Sequence, residues 1–270
     1  MLGGGGVTGV AWETGLLLGL ERAGIPLRDA DLIVGTSAGS VVAAQVGGPT
    51  PLDDLYAAQV AGWGGELASR LGLVGILKLI VALRFTRDER AALAKVGRWA
   101  LAAPAPAESA RRAVIEARLP VHAWPDRALK IPAIDAATGE LRVFDRSSGV
   151  DLVDAVGASC AVPMVWPPVT IDGARYFDGG IRSVANIDLA AGSDRIVVVA
   201  PQTQGLRPGS SPAEQLDALA PTASALVSPD AEARKAMGRN SLDPAFRAAS
   251  AEAGLAQAAR VADLVRGAWG

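Results

Sequence analysis

Three short stretches carry residues that could do chemistry together. The first is Gly35-Thr36-Ser37-Ala38-Gly39, which follows the apolar run Leu32-Ile33-Val34 and precedes the Ala/Val-rich run from Ala38. Gly-x-Ser-x-Gly between a strand and a helix lifts a serine hydroxyl onto a strained, exposed turn, where it can act as a nucleophile. A Cβ at Gly35 or Gly39 would crowd that turn. The hydroxyl would also lie at a helix N-terminus, where free N–H groups favour developing negative charge. The plainer alternative makes Ser37 a helix cap in a Gly/Ser turn. The second stretch, Gly4-Gly5-Gly6-Val7-Thr8-Gly9, offers backbone N–H groups for an oxyanion, or else is a flexible terminus. The third, Asp178-Gly179-Gly180, offers a carboxylate base, with two glycines that let the backbone come close to Ser37; its alternative is a surface turn.

A hydrolytic serine usually takes its proton acceptor from a histidine late in the chain. The single histidine, His122, lies between Ser37 and Asp178 in the Pro-flanked segment Pro120 to Pro125, with no partner identifiable from sequence. A Ser–His–Asp triad therefore fits poorly. If Asp178 takes the serine proton directly, an ordinary carboxylate is a weak base near neutral pH. Oxyanion stabilisation would then have to carry much of the rate.

The elements that must hold these stretches can be read from apolar spacing. Leu16, Leu17, Leu20 and Ala23 predict a helix over about Val10 to Ala23, ended by Gly24. Leu32 to Val34 reads as a buried parallel strand and the run from Ala38 as the helix after it. Residues 52–125 are helical in character. Within them Leu71 to Phe85 is apolar on nearly every face, relieved only by Lys78 and Arg84. It is expected to be a core helix, the sharper option being a lid or lipid-facing helix beside the site. Leu129 to Ala136 and Leu141 to Phe144 predict a hairpin through Thr138-Gly139, and Val169 to Phe177 a second through Asp172-Gly173. Asp151 to Ala161 predicts a helix and Ile196 to Ala200 a buried strand. Residues 201–270 predict loops and Ala-rich helices packed on the same domain. Alternating helices and strands argue a three-layer α/β/α fold with a mostly parallel central sheet.

Composition narrows the function classes. The chain has 270 residues, half of them hydrophobic but only 4% aromatic, so aliphatic residues and alanine must fill its core. A net charge of -2 gives no electrostatic footprint for nucleic acid. One cysteine, Cys160, precludes an internal disulfide, and one histidine makes a His-based zinc site a poor fit, so neither a metal nor a cofactor is expected. No signal peptide or membrane span is visible, which points to a reduced cytoplasmic compartment. The Ala, Arg and Gly content fits a GC-rich bacterial source.

The three motifs, in this order, resemble those of the patatin-like phospholipases, lipid acyl hydrolases that use a Ser–Asp dyad without histidine. The resemblance covers roughly residues 3–200. It includes Ala158-Ser159-Cys160-Ala161-Val162-Pro163 before Asp178 and Arg182-Ser183-Val184-Ala185-Asn186 after it. It implies a patatin-like catalytic domain in which Ser37 is the nucleophile and Asp178 the base. Gly4, Gly5, Gly6 and Gly9 would form the oxyanion loop, Gly35 and Gly39 the elbow, and Gly179 and Gly180 the remainder of the aspartate motif. The implied substrate is a lipid or other acyl ester, reached through transient contact with a membrane surface. Two departures stand out: Thr8 occupies a position commonly basic in the family, and only Met1 and Leu2 precede the glycine loop, which normally follows a strand. The loop is accordingly expected to be anchored from one side only, which leaves a catalytically weak lipid-binding protein as an alternative. A dinucleotide-binding protein is a further one, because Asp29 and Asp31 follow the glycine loop by about 20 residues. Both, however, precede Leu32-Ile33-Val34, whereas that acid should end a strand.

Overall fold

The computed structural model describes residues 1–62, 69 and 71–270. The helices and strands run α1 (Gly6–Arg22), β1 (Leu32–Val34), α2 (Ala38–Gly47), α3 (Leu52–Ala61), α4 (Leu73–Phe85), α5 (Glu89–Ala102) and α6 (Glu108–Arg118). They continue with β2 (Ala128–Asp135), β3 (Leu141–Phe144), α7 (Leu152–Ser159), β4 (Val169–Ile171), β5 (Ala174–Asp178) and β6 (Arg195–Val199). The chain ends with α8 (Pro212–Leu219), β7 (Ala223–Val227), α9 (Ala231–Met237) and α10 (Arg247–Trp269). The helical expectation for residues 63–68 and 70 lies outside the described residues.

The sheet is built on a parallel run. β2 pairs with β1 in parallel, and β6 pairs with β7 in parallel. Residues 1–3 join the two halves. Leu2 bridges Gly35 after β1 on one side and Val199 of β6 on the other, both in parallel. Leu2 N donates to Val34 O at 2.8 Å, and Thr36 N donates back to Leu2 O at 3.0 Å. Gly3 N donates to Val199 O at 2.9 Å, and Val199 N donates to Met1 O at 2.9 Å. The glycine loop is therefore held from both sides. The expectation of anchoring from one side fails because even so short a stretch, carrying no periodicity of its own, bridges a strand on each side through Leu2. Antiparallel strands extend the sheet, with β3 and β5 on β2 and β4 on β5.

Alternation along the strands assigns the layers, since successive side chains point to opposite faces. Ile131 and Ala133 of β2 and Val199 of β6 join one apolar cluster with α1, α2, α3, α6, α7 and α10. Ile134 of β2 and Phe177 of β5 face the other way and pack under α4 and α5. Ile196 and Val198 of β6 do the same beneath α8. The result is the expected α/β/α sandwich. The residues after 200 are not only helical, because β7 completes the parallel run. α10 packs along α1, where the fully buried Trp12 donates from Nε1 to Gln257 Oε1 at 3.1 Å.

Candidate active site

The loop between β1 and α2 places Ser37 at φ 52°, ψ −116°, a conformation that side chains other than glycine adopt only under strain. Its neighbours hold it there. Ser37 N donates to Ser159 Oγ at 3.0 Å. Ser37 O accepts from Ser40 N at 2.8 Å, Ser40 Oγ at 2.6 Å and Cys160 Sγ at 3.2 Å. The flanking glycines are required by close approach: a Cβ on Gly35 would lie 2.4 Å from Gly39 O, and one on Gly39 only 2.1 Å from Leu2 O. The turn is thus wedged against the strand-like residues 1–3. Ser37 occupies the N-cap position of α2, yet its side chain makes no capping bond. The hydroxyl instead donates to Asp178 Oδ2 at 2.7 Å, across 141 positions of sequence.

Asp178 ends β5, and its backbone is fixed there by the register Ala133↔Asp178. Its second oxygen, Oδ1, accepts from Gly180 N at 2.7 Å. Gly179 approaches β2 rather than Ser37, since a Cβ there would lie 2.4 Å from Pro132 O. Asn186, in the left-handed region at φ 45°, clamps the two loops. Its Nδ2 donates to Thr36 Oγ1 at 3.1 Å, Gly179 O at 3.3 Å and Ser183 O at 2.8 Å. Ser159 and Asn186 both lie in the motif surroundings of the sequence. A lone buried polar residue has no periodic signature that would single it out, so only the fold assigns their positions.

Burial pushes the Asp178 carboxyl up to about 7, against the opposing pull of its bonds from Ser37 and Gly180 and the nearby Arg111 charge. It is therefore not the ordinary weak carboxylate base expected from sequence, because the protein withholds the water that would stabilise its charge. The same shift sets a stability dependence. Between about 3.8, its ordinary value, and about 7, the folded state holds a proton that the unfolded chain releases, so raising pH through that window favours unfolding. Asp178→Asn removes this cost, worth up to about 4 kcal/mol above pH 7 and nothing below pH 4. Urea midpoints should therefore rise in the variant at pH 8 and converge with wild type near pH 4. A wild type as stable as the variant at pH 8 contradicts the shift.

The glycine loop lies against the serine. Gly4, Gly5 and Gly6 line one cavity with Ser37 and Asp178. Gly4 N is committed to Val184 O at 2.7 Å, so it is not a free donor. Gly5 N and Gly6 N have no acceptor among the described residues. Gly9 N closes the first turn of α1 on Gly5 O at 2.9 Å, which gives Gly9 a packing place rather than a donor's. Thr8 is fully buried, and its N–H donates to Ser241 O at 3.2 Å. Beneath the loop, Glu13 Oε1 accepts from Gly3 N at 3.0 Å. Burial holds the Glu13 carboxyl well above its usual range.

The cavity has a volume of about 280 Å³, and its apolar wall includes Ile76, Leu79 and Ile80 of α4 with Val162, Ile181 and Leu206. A second cavity, about 80 Å³, lies among Met1, Leu27, Arg28 and Trp269 and includes neither Ser37 nor Asp178. His122 is half exposed, 3.1 Å from Glu116 O through Nε2, and lines neither cavity. The dinucleotide alternative fails on placement. Asp29 pairs with Arg127 at 2.7 Å on the surface, Asp31 precedes β1, and the position an acid would need after β1 is the serine turn.

A strained serine on a β1–α2 turn, hydrogen-bonded to a buried aspartate beside a glycine loop, is the arrangement that the three motifs require. The family model for patatin-like phospholipase matches residues 1–191. The chain belongs to the patatin-like phospholipase family. The family carries lipid acyl hydrolase activity in the broad sense, with a lipid as substrate. Among solved structures the chain is similar to VipD from Legionella pneumophila, with a TM-score of 0.48 and 12% identity over 96% of this chain and 65% of that one. The chain thus spans just under two thirds of the VipD chain. No curated protein sequence matches it. No helix among the described residues is long and apolar enough to cross a membrane.

Proposed function

We propose that this patatin-like chain cleaves carboxylic esters of lipids through an acyl-enzyme on Ser37, with Asp178 as the base and no histidine. The observation that carries this reading is the 2.7 Å bond from the strained Ser37 hydroxyl to a buried carboxylate whose proton affinity sits near neutrality. In the first half-reaction Ser37 Oγ bonds the ester carbonyl carbon while its proton passes to Asp178 Oδ2. The carbonyl oxygen becomes an oxyanion, stabilised by the N–H groups of Gly5 and Gly6. Collapse of this intermediate breaks the bond to the alcohol, which leaves with the proton from Asp178. In the second half-reaction water gives a proton to Asp178 and adds to the acyl carbon. Ser37 then leaves, recovering that proton, and the fatty acid is released. The apolar cavity beside Ser37 is suited to an acyl chain, although at about 280 Å³ it sits at the small end of ligand pockets.

The weakly active lipid-binding alternative rested on the loop anchor and on Thr8. The loop is paired on both sides, which leaves only Thr8 in its favour.

A fluorophosphonate probe tests the assignment, since it reacts with an activated serine through the same base. It should label Ser37 alone, and Ser37→Ala should stay unlabelled. Labelling should rise about tenfold per pH unit up to pH 7 and then level, because only ionised Asp178 accepts the proton. A sequence reading with an ordinary carboxylate places no limb there. Label retained by Ser37→Ala defeats the nucleophile assignment, a flat profile from pH 5 to 8 defeats the raised proton affinity of Asp178, and Asp178→Asn labelled as fast as wild type defeats the base.

A further inference from the structure

α4 does not sit in the core as its all-round apolar sequence suggests. Only Leu79, Ala82 and Leu83 of this helix are buried, packed on α5 and the sheet. Seven large apolar side chains of α4 face outward, among them Leu73 at 85% exposure, Phe85 at 78% and Leu77 at 61%. At about 100° per residue they cover roughly half the helix circumference, an arc into which Arg84 also projects in the last turn. A monomeric protein rarely leaves so wide an apolar face open unless something covers it.

Two features bear on what could cover it. The first is continuity with the site: Ile76 and Ile80 belong to the outer face and also line the cavity that contains Ser37 and Asp178. The second is charge. Residues 71–87 contain Lys78, Arg84 and Arg87 and no acidic residue. Lys78 and Lys95 flank Trp99 with their ammonium groups 5.6 and 5.3 Å from its ring centroid. Of the two acids that follow, Asp88 caps α5, accepting from Ala91 N at 2.6 Å, and Glu89 pairs with Arg182 at 3.3 Å. The helix is also fixed rather than loose. Arg207 donates to Leu83 O at 2.9 Å, Thr86 O at 3.1 Å and Arg87 O at 3.1 Å, which tethers its C-terminal end.

We propose that the outer face of α4 docks on an anionic lipid surface, laying its apolar side chains among the acyl chains with the flanking cations at the head groups. This rests on the acyl-hydrolase reading of the site, and it assigns the route by which the substrate chain passes from the surface along Ile76 and Ile80 to Ser37. Apolar burial and attraction to anionic lipid together set the strength of such docking.

The test uses co-sedimentation with vesicles of phosphatidylcholine and phosphatidylglycerol, and Ser37→Ala protein so that the lipid stays intact. The protein should sediment with these vesicles, more weakly with pure phosphatidylcholine and more weakly in high salt. Adding Leu77→Glu and Val81→Glu, two outward residues that do not line the cavity, should reduce partitioning by about tenfold or more. Leu73→Ser with Phe85→Ser serves the same end should the glutamates disturb folding. In the active background the same changes should lower hydrolysis of vesicle lipid and leave that of a soluble p-nitrophenyl ester at the wild-type rate. Protein that stays in the supernatant, or vesicle binding indifferent to both variants, overturns the proposal. So does a dimer in sedimentation equilibrium that dissociates in the variants without vesicle binding, since the face then belongs to a second copy. Vesicle binding that depends on α4 in a protein hydrolysing no ester upholds the docking and removes the hydrolase reading.

Discussion

Asp178→Asn should abolish ester turnover nearly as completely as Ser37→Ala, with kcat down by about four orders of magnitude in each. The amide keeps the size of the side chain and can still accept from Gly180 N, as Asp178 Oδ1 does at 2.7 Å. It cannot take a proton from Ser37. Because the two side chains perform one proton transfer, their losses do not add, and the double variant should be scarcely worse than either single one. His122→Ala should stay within a few-fold of wild type, since His122 lies on the surface against Glu116. These variants carry more weight than a pH profile. With the Asp178 carboxyl raised to about 7, an acidic limb near neutrality does not by itself single out a histidine. The stability of Asp178→Asn above pH 7 guards against misreading a folding defect as lost chemistry. A His122→Ala protein that folds but is as inactive as Ser37→Ala would overturn the dyad.

The parts of the site legible in the sequence were those whose chemistry is local. Gly35-Thr36-Ser37-Ala38-Gly39 needs its glycines within two positions of the serine, and Asp178-Gly179-Gly180 keeps its own N–H donor in Gly180. What spans distance was not legible. The Asp178 shift arises from burial, which no three-residue motif encodes. The pairing of residues 1–3 depends on two strands separated by more than 150 positions, and two leading residues carry no pattern. β7 arises in Ala223-Ser224-Ala225-Leu226-Val227, whose alanines read as helix, but β6 presents a parallel edge there and tertiary pairing overrides the weak local preference. α4 failed for a different reason. Periodicity separates a buried face from a wet one only where polar residues mark the wet one, and the exposed face of α4 is itself apolar, so it carries no such mark.

The second large effect lies in the glycine loop. Gly5→Ala and Gly6→Ala should each lower kcat by roughly 10²–10³ while KM changes little, as happens when a donor to the oxyanion is lost. The geometry adds a cost that the sequence did not reveal. Gly6 has φ +61°, and a Cβ there would lie 2.5 Å from Ser241 O. A Cβ on Gly5 would lie 2.5 Å from Pro201 Cβ and 2.9 Å from Gly9 Cα. Each alanine therefore also destabilises the fold, by about 1–3 kcal/mol as overpacking does. The two effects separate by readout. Overpacking lowers the urea midpoint and the amount of folded protein. Loss of an oxyanion donor lowers kcat per folded active site, counted by fluorophosphonate titration, because the donor acts on a charge absent from the bound ester. Pro201→Gly in the Gly5→Ala background removes the ring that the new methyl meets first. It should recover part of the stability and little of the kcat, since the N–H would still be displaced by the remaining contact with Gly9. If kcat per titrated site is that of wild type in both alanine variants, the loop serves the packing of α1 against Pro201 and Ser241, and the oxyanion must be met by other donors.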